Sequence, residues 1–130
     1  MKLLRTYPDA EHLVIDQLAD DMDGCTVGVG LPDGWTTSAD PHLQVALDAT
    51  ATVHPIAATS TVRLTAWHLS TTEAKALVQE AAAHLSASPG TGIVRTRPGV
   101  GMITARDEEH RAELASLTVL VTTRSIDLGS

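Results

Sequence analysis

Six histidines and sixteen acidic side chains supply this 130-residue chain with many possible metal ligands, so their spacing is the first question. His12 and Asp16 stand four residues apart, as do Glu80 and His84, and on a helix each pair shares a face. Two ligands make half a site, and no third follows near either pair. Both read as ordinary surface helix pairing. His42, His54, His68 and His110 fall on separate segments without the short ligand repeat of a zinc site. No metal or other cofactor is expected.

Covalent and phosphate chemistry fare no better. Gly28-Val29-Gly30 and Pro98-Gly99-Val100-Gly101 match neither the dinucleotide fingerprint nor the phosphate loop with its Lys-Ser/Thr. They read as turns or bulges. Ser60, Ser70 and Ser116 lack the flanking glycines of a nucleophile elbow. Cys25 is the single cysteine, so it has no internal disulfide partner. Set in an apolar alternation without a basic neighbour, it reads as a small buried hydrophobe. Asp20 and Asp21 fall at an exposed helix end, where solvated acids are the default. The chain is therefore not expected to be an enzyme.

Three features rise above this background. Arg95 and Arg97 share one face of a short strand. Arg106, Asp107, Glu108, Glu109, His110 and Arg111 form a dense mixed-charge loop between two strands, a good place for contacts between subunits. Trp35 follows a Pro-Asp-Gly turn in the most loop-like stretch of the chain. It either folds back over the sheet or enters a pocket on a neighbouring subunit, as tryptophans at interface centres do. Its flanking residues offer no apolar partner, which favours the anchor.

The elements that position these residues follow from periodicity. Pro8 to Gly24 reads as a helix, capped by Asp9, with Val14, Leu18 and Met22 at helical spacing and Gly24 as its stop. Cys25, Val27, Val29 and Leu31 alternate as a strand, and Gly28 and Gly30 on its other face point to close backbone approach or a bulge. Leu43, Val45 and Leu47 mark a second strand, and residues 50–60, broken at Pro55, a loop. Val62, Leu64 and Ala66 mark a third strand. Ser70-Thr71-Thr72-Glu73 is a capping box, followed by the apolar stripe Ala74, Leu77, Val78, Ala81 and Leu85, with an end near residues 86–90. Strands at 93–97, 102–106 and 113–125 complete the order α-β-β-β-α-β-β-β. The expected fold is α+β: a mixed, mostly antiparallel sheet with two helices packed on it, in one domain over residues 1–130.

Net charge is −7 and lopsided: residues 1–65 hold nine acids against three bases. Only two lysines and three aromatic rings stand in the chain, a poor endowment for gripping phosphates or stacking bases. No run of eighteen apolar residues and no signal-peptide core is visible, so the chain is expected in a cytoplasm and not in a membrane.

Residues Thr61 to Leu128 resemble the tail terminator family of long non-contractile-tailed actinobacterial phages. The resemblance is carried by the strand Thr61–Trp67, the helix opening Ser70–Lys75, the segment Gly92–Gly99, Thr104–Asp107, and the closing strand Ala112–Thr122. The first 55 residues match in layout only. The resemblance implies a structural virion protein at the tail's neck, assembled in the host cytoplasm. It implies a six-membered ring on the head-proximal end of the tail tube, one that stops tube polymerisation. The ring's partners would be copies of itself, the tail tube protein and the head-tail connector or head-completion protein. Genome DNA would pass through its lumen without specific binding. Expected interface residues are Trp35, Arg95, Arg97, Arg106, Asp107, Glu108, Glu109 and Arg111. Two alternatives stand beside this: a head-completion or other neck protein of the same virion, and an acidic module that inhibits a host protein.

Overall fold

The computed structural model of the chain describes residues 5–6, 9–53, 57–87, 92–124 and 126–127. The Asp9 carboxylate accepts the Glu11 amide at 3.0 Å and so starts helix α1 (Ala10–Asp21). Ala10, Val14 and Leu18 form its buried stripe, continued by Met22. Gly24, at φ +81°, turns the chain into strand β2 (Thr26–Gly28). Only these three residues of the expected longer strand pair, and Val29 is exposed. A side chain added at Gly28 or Gly30 would meet nothing closer than 3.7 Å, so neither glycine serves a close approach.

Strands β3 (His42–Val53) and β4 (Ala57–His68) form one long antiparallel hairpin where the sequence pointed to a loop over 50–60. Residues 54–56, Pro55 among them, lie outside the described residues. The extended pairing has a physical cause. The alanines and threonines of Ala57–Thr61 have few apolar atoms to show a pattern, but β4 is laddered on both sides, which holds them extended. The register slips between Leu47 and Ala49, and Leu47 is left exposed instead of extending the Leu43–Val45 buried face.

Helix α2 (Thr71–Ala87) forms half of the capping box. Ser70 Oγ accepts the Glu73 amide at 3.2 Å, while the Glu73 carboxylate turns to His68 Nδ1 at 3.0 Å. Ala74, Val78, Ala81 and Leu85 are fully buried. Strands β5 (Ile93–Pro98), β6 (Ile103–Asp107) and β7 (Ala112–Arg124) follow. Short β1 (Arg5–Thr6) pairs with β8 (Ile126–Asp127) as a separate ribbon.

The main sheet runs β2-β3-β4-β7-β5, with β6 also on β7, and every pairing but β2–β3 is antiparallel. Val62, Leu64 and Ala66 of β4 and Ala115, Val119 and Val121 of β7 join both helices in one core. The opposite face is polar. Thr59 meets Thr122 at 3.1 Å, and Ser116 Oγ accepts from Arg63 at 3.2 Å and Thr65 at 3.1 Å. This is an α+β fold with one apolar and one polar sheet face.

Candidate assembly surface

β5 and β6 lie end to end along one side of β7, so among the described residues the outer side of both is a sheet edge. Arg95 and Arg97 are both exposed on β5, with the buried Thr96 between them. Neither makes an ion pair among the described residues.

The 106–111 segment is the turn of the β6–β7 hairpin, and its charges are largely satisfied within it. Arg106 pairs with Glu113 at 2.7 Å and with Glu108 at 3.2 Å, and the Glu113 bond raises the guanidinium pKa further. The Asp107 carboxylate accepts the His110 amide at 3.3 Å and contacts His110 Nδ1, and this ring contact holds its pKa below the ordinary value. Arg111 takes a left-handed φ of 52°, which closes the turn. Glu109 and Arg111 point charge outward with no ion pair among the described residues. Asp107, Glu109 and His110 bring one possible ligand atom each within 4.8 Å of one another. Hydrogen bonding inside the turn accounts for the Asp107–His110 approach.

Trp35 is not an exposed anchor. It is only 6% exposed, and its Nε1 donates to the Asp40 carbonyl at 2.9 Å. Its ring meets Trp67 edge-on at 6.0 Å and His110 at 6.3 Å, while Trp67 meets His110 at 5.8 Å. The partner that the flanking residues could not supply comes from β4 and the hairpin turn. Sequence spacing carries no trace of that tertiary contact. Trp35 therefore fixes the 32–41 loop and the charged hairpin to the polar sheet face.

Two other groups are placed by burial. Cys25 is half-buried against the core, and desolvation pushes its thiol pKa up, with Glu80 and Asp40 adding to the shift. His42, which no motif singled out, is 1% exposed. Its Nδ1 shares a 2.6 Å hydrogen bond with Thr26 Oγ1, its partner across the parallel β2–β3 pair, and its Nε2 has no hydrogen-bond partner of ordinary geometry. Burial lowers its pKa, opposed in part by the Gly30 backbone.

A pH dependence follows. The folded pKa lies below the ordinary histidine value of about 6.5, so the unfolded chain takes up this proton first as pH falls. The stability that neutral His42 contributes is fully present above about pH 6.5 and declines below it, by at most about 1.4 kcal/mol per pH unit. Urea unfolding between neutral and mildly acidic pH, compared with His42→Leu, isolates that slope. Equal slopes in the two proteins would contradict the assignment.

No protein-family model matches the chain, and no curated protein matches it either.

Proposed function

We propose that this chain is a structural ring subunit of a phage virion. It ends tail-tube polymerisation at the head-proximal end and joins the tail to the head connector. The observation that carries this reading is the open sheet with two unlike edges: a three-residue parallel strand at one end and the interrupted β5/β6 edge at the other. Unlike edges favour head-to-tail contacts, which close into rings when the rotation closes. The resemblance of residues 61–128 to tail terminators supplies the place in the virion. Adding the chain to polymerising tail-tube protein tests the role: it should arrest growth at one tube end, and unaltered tube growth would contradict it.

On this reading the outward charges of the hairpin meet a neighbouring subunit or the next ring. The variant Arg106→Glu/Arg111→Glu should keep its melting temperature within a few degrees, because the ion pairs it breaks are exposed and screened by solvent. Tube capping should weaken roughly tenfold, with a salt dependence unlike that of the parent. If the variant caps tubes normally at all salt concentrations, the hairpin is solvated surface only.

A further inference from the structure

The two ends of the sheet differ in charge as well as in shape. Residues 22–25 link α1 directly to β2, so the C-terminal end of α1 lies at the β2 end of the strand order. Asp20, Asp21 and Asp23 are exposed there, and none makes an ion pair among the described residues. The last turn of α1 holds no basic residue. A helix C-terminus carries partial negative charge, so it offers these carboxylates no favourable partner.

At the opposite end of the sheet, β5 exposes Arg95, Arg97 and the apolar Val94. Its ladder partner β7 occupies one side only, and no described strand pairs with the other. A chain of net charge −7 with nine Lys and Arg thus places on one edge strand two cations that make no ion pair among the described residues. An antiparallel β5–β5 pair between two copies, centred on Thr96, would set Arg95 against Arg97, which is unfavourable. Pairing the acidic corner with itself is worse. Only the unlike ends are complementary.

We propose that copies of this chain join head to tail, the Arg95/Arg97 edge of one copy docking on the Asp20/Asp21/Asp23 corner of the next. The inference rests on the ring-subunit reading and names the contact that builds the ring. Because the contact uses two different surfaces, it leaves a basic edge and an acidic corner free at each step. It closes on itself or continues as a filament.

Two reversed proteins test it: Arg95→Glu/Arg97→Glu, and Asp20→Lys/Asp21→Lys/Asp23→Lys. All changed side chains are exposed, and circular dichroism checks that each variant folds. Sedimentation velocity at low salt, over a wide concentration range, should show the parent self-associating. Each variant alone should associate at least roughly tenfold more weakly. An equimolar mixture should regain association as an alternating assembly, since each protein then offers what the other lacks, and high salt should weaken it. A parent that stays monomeric at every concentration overturns the inference, as do variants that associate like the parent or a mixture that fails to recover. Association through this contact without tube capping would uphold the inference and refute the tail role. Capping rings indifferent to both reversals would uphold the tail role and refute the contact.

Discussion

Replacing Trp35 with alanine should lower the melting temperature by roughly 10–20 °C, from a loss of about 3–5 kcal/mol. The ring is almost fully buried and packs edge-on against Trp67 and near His110. Its removal would open a cavity between the 32–41 loop and the sheet and leave the Asp40 carbonyl without its donor. Trp35→Phe keeps a ring but not the N–H, so it should recover a large part of the loss. On the proposed ring-subunit role, the outcome also decides how Trp35 would act in assembly. As a buried strut it acts by holding the charged hairpin in place, so capping by Trp35→Ala should fail near its melting point and return on cooling. An unchanged melting temperature with failed capping would mean that the ring is an exposed anchor after all.

The second large effect is expected at Gly99, between β5 and β6. A Cβ built there would stand 2.4 Å from Thr118 Oγ1, 2.9 Å from its carbonyl oxygen and 3.0 Å from its carbonyl carbon. The approach is close because Gly99 donates its amide to the Thr118 carbonyl at 2.9 Å, and Val100 donates its own to Thr118 Oγ1 at 2.6 Å. Thr118 in turn donates to the Val100 carbonyl at 3.3 Å. Gly99→Ala should therefore cost about 1–3 kcal/mol through overpacking against the Thr118 backbone. Thr118→Ala added to it removes the hydroxyl clash but not the carbonyl one, so the double variant should recover only part of the stability. Thermal unfolding of the three proteins checks this, and a Gly99→Ala variant as stable as the parent would show that the β5–β6 connection yields freely.

Where periodicity had apolar residues to work with, the fold was legible. The Val14–Leu18–Met22 stripe, the Ala74–Leu85 stripe and the Val62–Ala66 alternation each announced an element found in place. It failed over residues 50–60, where alanine and threonine leave the pattern silent and the ladders on both sides of β4 decide. It also overextended β2, because alternation in Val27, Val29 and Leu31 says nothing of where the pairing strand begins. The candidate surface was legible in residue type but not in partnership. Arg95 and Arg97 lie on a short strand, as expected, but that they are exposed and that the strand ends the sheet order appear only in the structure. Arg106 and Asp107 are instead engaged by Glu113, Glu108 and His110 of their own hairpin. Trp35 and His42 were misread or passed over because their partners, Trp67 and Thr26, are joined to them only by tertiary contact.

The most direct test of the proposed role is negative-stain imaging of the purified chain mixed with tail tubes. A ring subunit of this kind should be monomeric or weakly associated when dilute and should form a ring of several copies at one end of each tube. Tubes left uncapped, or carrying a single copy per tail, would contradict it.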